Sequence, residues 1–412
     1  MCISSKDREV LRRLVHDYAK ASDSKRNKNN ISDWKRLNSL NPSRPMVMID
    51  QLPWHEMNID SELDLLCEDE FLRSIECNYR RELYRWRHLD TDQTLSDYIE
   101  FNKVVNNTGF GIEVKENITF IDKKNDVHSH EYLDQLDSEE QLERIKMPHL
   151  SYDNDETIRL QSLLDKLVGD IMPVRAIGFQ PVFRVWDIIA TLRSVTAIYI
   201  DLIERPDFIH AIMDRFLKIE LSVLQQMENQ NLLNPHSHLI HCSGTHTNEL
   251  PADGFDIKSV RANDCWGCGM AQLFSSCSTE MHDEFEIYYA SKYYNHVGLV
   301  YYGCCEPLHD KIHIIRKIPN VRKISISPWA DINKAADKIG KDFVISKKNN
   351  PAFLVTDTLD ETLIRNEIRD TLKACEKSGS PCEFILKDIS TLKYRPQNLF
   401  RWSKIMKEEL EY

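Results

Sequence analysis

Nothing in this 412-residue chain approaches the ~18 consecutive apolar residues of a bilayer span, so no membrane helix is expected. The opening MCISSKDREVLRRLV puts charges where a signal peptide keeps its apolar core, which argues against export. Positive charge is short as well. The 53 Lys and Arg stand against 65 Asp and Glu, a net charge of -12, whereas a nucleic-acid surface needs clustered cations. Glycine is scarce at 12 residues, and neither a Gly-rich phosphate loop nor a G-x-S-x-G nucleophile elbow occurs. No Pro/Gly/Ser-rich linker divides the chain, and no short solenoid unit repeats. Cysteine is plentiful at eleven, but the count is odd and the spacing suggests no disulfide framework. These absences predict a cytoplasmic protein with free thiols and with neither nucleic acid nor membrane as partner.

What is present is a rhythm. Residues 298–304 (GLVYYGC) form a short apolar run, after which Leu308, Ile312, Ile315 and Ile318 recur at helical spacing. Residues 321–327 (VRKISIS) alternate as a strand does. Asp331 then caps a helix carrying Ile332, Ala335, Ala336 and Ile339, and Gly340 ends it. A strand at 342–346 (DFVIS), a helix over about 360–377 and a strand at 383–386 (EFIL) follow. Residues 45–50 (PMVMID) and 238–242 (HLIHC) read as earlier strands, and 208–227 as an amphipathic helix. Two polar stretches, 22–32 and 122–143, read as surface excursions. Alternating strand and helix argues for parallel strands with crossovers. The expectation is one domain over 1–412, a (β/α)8 TIM-type barrel with an elaborated, partly helical N-terminal region, residues 1–44 being a helical extension.

In such a barrel, chemistry sits where strands end. The inferred strand ends carry Trp54, His55 and Glu56; His241 and Cys242; Cys304, Cys305 and Glu306; Trp329; Lys347; and Lys387 with Asp388. His55 and Glu56 suit proton transfer, Lys347 and Lys387 suit an anionic group with Asp388 orienting one of them, and Trp54 and Trp329 suit the walls of a substrate site. Bland readings stand beside these. Glu306-Pro307 suits a helix start, and Cys304 and Cys305 could be small buried hydrophobes. Strand alternation lets only one of the two cysteines face inward, so Tyr302 and Cys304 are expected to share the inner face and Cys305 to pack outward. Cys265-Trp266-Gly267-Cys268 has redox or half-ribbon spacing, but with no second pair it reads as loop.

The run YYGCCEPLHDKIHIIRKIPNVRKISISPWADINKAADKIGKDFVISKKNNPAFL resembles the uroporphyrinogen decarboxylase superfamily, in character closest to its corrinoid-dependent methyltransferase-like branch. The resemblance implies a (β/α)8 barrel and, in that branch, a zinc ion held by a His-x-Cys-Gly strand. Here the positions read Tyr302-Gly303-Cys304-Cys305, so Tyr302 replaces the histidine and joins the candidate catalytic residues. A further family cysteine near the last strand is replaced by ILKDISTL. Zinc ligands would then be Cys304, Glu306 and His241. The decarboxylase branch's carboxylate-holding arginines are absent from PMVMIDQLPWHEM. The function so implied is corrinoid-linked methyl transfer from a small methylated, including methoxylated, compound. The corrinoid would come from a partner protein, and the enzyme could work as a homodimer. Alternatives are a decarboxylase or lyase on a small carboxylic acid without corrinoid, or an inactive barrel that binds.

Overall fold

The computed structural model describes residues 3–119 and 128–410. Of the acidic excursion at 122–143, residues 122–127 lie outside the described ones; the rest includes a strand, Ser129–Tyr132, paired antiparallel with Glu116–Thr119. The main sheet has seven strands: β1 (Met46–Ile49), β2 (Val182–Phe183), β3 (Trp266–Gly269), β4 (Leu299–Tyr302), β5 (Val321–Ile326), β6 (Val344–Lys348) and β7 (Cys382–Leu386). Their order is β1-β7-β6-β5-β4-β3-β2, and every neighbouring pair is parallel. Helices fill the returns, as Asp331 shows by accepting the Lys334 amide ahead of Ile332–Ile339. Glu361–Ser378 ends on Gly379 in the left-handed region. Among the described residues no helix is long and apolar enough to cross a membrane.

The sheet separates two environments by strand alternation. On one face Val47, Phe183, Val300, Tyr302, Ile324 and Phe384 join the helices in a large apolar core. The other face carries Met46, Met48, Val344 and Ile385 in one cluster and Trp266, Cys268, Leu299 and Tyr301 in another. This inner face is also polar: the buried Lys323 Nζ lies 2.9 Å from Glu383 Oε2, bridging β5 to β7. Adjacent strands lie about 4.8 Å apart, so groups three strands apart on a flat sheet would be separated by about 14 Å. Yet Lys387, just past β7, touches Cys304, just past β4, at 3.2 Å. The sheet therefore curls about its inner face. The N-terminal helices Ser5–Ser22, Glu70–His88 and Asn154–Val168 share a separate apolar cluster.

Two expectations about strands are corrected. Residues 238–242 do not join the sheet. His241 and Cys242 take φ of 43° and 69°, which turns the chain, and Leu239–Ile240 pairs antiparallel with Ser243–Gly244 instead. This hairpin contributes Ile240 and Cys242 to the inner-face clusters. No ladder joins β1 to β2 among the described residues; beside β1 the Asp92 amide donates to the Val47 carbonyl at 2.8 Å. Conversely, the segment Trp266–Gly269, read as loop, is the strand β3. Its glycine-rich sequence hid it, and the glycine has a reason: a Cβ on Gly269 would sit 2.3 Å from the Tyr294 hydroxyl of the helix behind it.

Candidate functional site at the strand ends

β4 ends at Tyr302, and Gly303 follows at φ 95°, a conformation that a side chain disfavours. That residue breaks the alternation. Tyr301 and Cys304 share the inner cluster, whereas Tyr302 faces the helices and meets His282 Nε2 at 3.0 Å. The Cys304 amide donates to Glu306 Oε2 at 2.9 Å, and its carbonyl accepts from Ser325 Oγ at 2.6 Å. The loop is thereby pinned with the Cys304 sulfur buried. Around that sulfur stand Lys387 Nζ at 3.2 Å and Cys305 Sγ at 3.5 Å. Cys305 Sγ also lies 3.3 Å from Asp388 Oδ2, so its one S–H proton is shared between the Cys304 sulfur and that carboxylate, and Asp388 in turn pairs with Lys387 at 3.1 Å.

The charges follow from these contacts. The hydrogen bond from Cys305, then His241 and Lys387, hold the Cys304 thiol far below its ordinary pKa, against the opposing effect of burial. Cys305, as donor beside that negative sulfur, is pushed up, with burial adding to the effect. Burial tends to lower Lys387, but Cys304 and Asp388 outweigh it and its pKa is raised. Burial keeps His241 below the usual imidazole range and so uncharged at neutral pH. The Cys304 sulfur thus lies against an ammonium in surroundings that favour the thiolate, the form in which a cysteine is a nucleophile. The surrounding backbone is strained. Gln51, His241, Cys242 and Asp388 all have positive φ, and Gln51 Oε1 accepts the Asp388 amide at 3.3 Å. Such strain persists only where neighbours enforce it, and it gathers at functional sites.

No family model matches the chain, and no curated protein matches it. Among solved structures, a methyltransferase from Methanosarcina mazei aligns with 93% of this chain and 98% of its own, at 11% identity and a TM-score of 0.49.

Of the residues singled out in the sequence, Cys304, His241, Lys387 and Asp388 come together. Tyr302 does not, for the reason of register given above. Lys347 does not either. β6 turns it outward, 3.4 Å from Glu367 Oε1, and its neighbour Lys348 faces inward, 2.5 Å from the Tyr301 hydroxyl. Glu56 is buried and accepts from Thr391 Oγ1 and the Leu392 and Tyr394 amides, so it anchors the 391–394 loop. His55 Nε2 lies 3.5 Å from Glu56 Oε1. Trp54 packs edge-on to Tyr84 and lines a cavity of about 200 Å³ that also reaches Asp50. Trp329 is 69% exposed beyond β5.

The expected zinc ligands do not converge. Cys304 and His241 are neighbours, but Glu306 spends both carboxylate oxygens on backbone amides, those of Cys304 and Ala271. The Lys387 ammonium already lies against the thiolate. Among the described residues no group of three or more His, Cys, Asp or Glu is placed to hold a metal ion. Lys348, Cys242 and Asp50 are site neighbours that the sequence reading passed over as functional. Burial pushes the Cys242 thiol up to about 12, Asp50 acting in the same direction. The usable signal was alternation: in Ser346-Lys347-Lys348 only one lysine can share a face with Ser346.

Proposed function

We propose that the chain is a cytoplasmic, methyltransferase-like enzyme whose single domain is a (β/α)8 barrel of the uroporphyrinogen decarboxylase superfamily, with Cys304 as its nucleophile. The observation that carries this reading is the buried Cys304 sulfur 3.2 Å from Lys387 Nζ at the strand ends, with His241 beside it. The thiolate attacks the methyl carbon of a small methylated compound. A sulfur–carbon bond forms as the carbon–heteroatom bond breaks, and the leaving heteroatom keeps the electron pair and takes a proton from water on the open Asp388 side. Lys387 holds the sulfur, Asp388 holds Lys387 at 3.1 Å, and a hydrogen bond from His241 favours the ionised thiol. The family resemblance supplies the final acceptor, a corrinoid held by a partner protein, which when bound would take up the methyl group. The exposed indole of Trp329 beyond β5 suits the docking of such a partner. The zinc of the resembled branch has no place in this reading, because the ligand set does not fit it.

The test has two parts. Alkylation of Cys304 by iodoacetamide is expected to stay nearly constant from about pH 9 to about pH 6, where an ordinary thiol slows about tenfold per unit below its pKa of ~8.5. Incubation with methylated amines, sulfonium compounds and methoxylated compounds is expected to leave one methyl group on Cys304, seen by peptide mass, and none in Cys304→Ser. Carbon dioxide released from a small carboxylic acid with no methyl adduct would turn the assignment to a lyase. An ordinary thiol profile with neither product would leave a binding protein.

A further inference from the structure

We infer that Cys304 and Cys305 form a reversible disulfide with each other when they meet a hydroperoxide, making the site a two-electron thiol centre as well. The inference rests on the nucleophilic Cys304 of the preceding reading and adds a role for its neighbour. The two sulfurs are already 3.5 Å apart. Cys304 is in contact with a cation, and Cys305 is half-buried beside the exposed carboxylate of Asp388, so a small oxidant reaches the pair from solvent. A second thiol pair offers a contrast. Cys375 and Cys382 also interact, but both are buried, and Cys375 and burial push the Cys382 thiol well up. Reactivity follows thiolate character and access, which singles out the first pair.

The steps balance. The Cys304 sulfur attacks one peroxide oxygen; the S–O bond forms, the O–O bond breaks, and the departing oxygen takes the electron pair and a proton from water. Cys304 is then a sulfenic acid. The Cys305 sulfur displaces the hydroxyl, so the S–S bond forms and the S–O bond breaks. The Cys305 proton, with Asp388 Oδ2 3.3 Å from its sulfur to pass it on, leaves with the hydroxyl as water. Two electrons have passed from the thiols to the peroxide. Neighbouring Cα atoms lie about 3.8 Å apart across a trans peptide, short of the usual ~4.4–6.8 Å for a disulfide. The bond is therefore strained and easily reduced, which suits a protective or regulatory link. While it exists, Cys304 is no nucleophile, and its further oxidation to the sulfinic acid is blocked.

Trypsin isolates the pair, since residues 293–311 contain no other cysteine and end at Lys311. The reduced full-length protein is treated with one equivalent of hydrogen peroxide, quenched with iodoacetamide, digested and weighed. The expected peptide has lost two hydrogens and takes no alkyl group until dithiothreitol restores both sites, while Cys375 and Cys382 stay alkylatable. Cys305→Ser should instead trap a sulfenic acid at Cys304 that dimedone captures, and Cys304→Ser should give neither product. A dimedone adduct or sulfinic acid at Cys304 in the wild-type protein, or a disulfide to any other cysteine, overturns the inference. If reduced Cys304 alkylates fast near neutral pH yet no disulfide forms, the inference fails while the nucleophile assignment stands. Slow alkylation defeats both.

Discussion

Lys323 and Glu383 are wholly buried on the inner face of the sheet, with the lysine also donating to Ser243 Oγ at 2.7 Å and the Gly244 carbonyl at 3.0 Å. Burial lowers the lysine's pKa, and Glu383 acts against that shift. A pair of this kind is costly to break from one side, because the survivor is left charged and without its partner. Lys323→Met is expected to destabilise the protein by about 3–5 kcal/mol in urea unfolding. Lys323→Met combined with Glu383→Leu should recover most of that loss, and a double variant no better than the single would show that the pair is not the cause. Cys304 follows the same logic in reverse. Its sulfur is buried, but Cys305 beside it is only half-buried, and Lys387 Nζ, 3.2 Å away, supplies the opposite charge. Residue types at strand ends were readable in advance, since Cys304, His241, Lys387 and Asp388 all lie where a strand was expected to stop. Their pairing was not, because a contact between Cys304 and Lys387 spans 83 positions.

At the level of elements, the decisive feature is the turn from β4 into the Cys304 loop. A Cβ on Gly303 would lie 2.5 Å from Leu308 Cδ1 and 3.2 Å from Ser325 Cβ, and the φ of 95° is unfavourable to any side chain. Gly303→Ala is expected to cost about 1–3 kcal/mol of stability, read from the urea midpoint. It should also abolish the fast neutral-pH alkylation of Cys304 while the cysteine itself remains. Unchanged reactivity would mean that the turn does not position the sulfur. Helices with caps and apolar stripes, such as Ile332–Ile339 and Glu361–Ser378, lie within a residue or two of their expected bounds. The stripe over 308–318 yields only Ile312–Ile315 as helix. β3 went unread because strand propensity resides in branched and aromatic side chains, and two of its four residues are glycines.

For the whole molecule, acid stability is set in part by histidines folded in as neutral bases. His282 is fully buried against Tyr302, and burial pushes its pKa down to about 3; burial does the same for His246, also to about 3. The unfolded chain takes up these protons near pH ~6.5, and the folded chain refuses them until about 3. The contribution is therefore complete above the unfolded value and is lost progressively as pH falls through this window, by up to about 1.4 kcal/mol per unit for each histidine. Unfolding free energies measured from about pH 7 to about pH 5 should fall with that slope. His282→Gln should remove roughly one histidine's share of it. An unchanged slope would mean that His282 is protonated in the folded protein.

The sequence by itself determined the succession of strands and helices in the last third, the parallel character of the sheet and the placing of sulfur, lysine and carboxylate at strand ends. Periodicity, caps and breakers are local properties, and a linear reading captures them. The tertiary structure alone decided which face each side chain takes after a positive-φ residue, that the hairpin at 239–244 adds its side chains to the inner face instead of joining the sheet, and that Lys387 stands against the Cys304 sulfur. Those outcomes depend on the curl of the sheet, which brings together strand ends that are distant along the chain and at which no local pattern points.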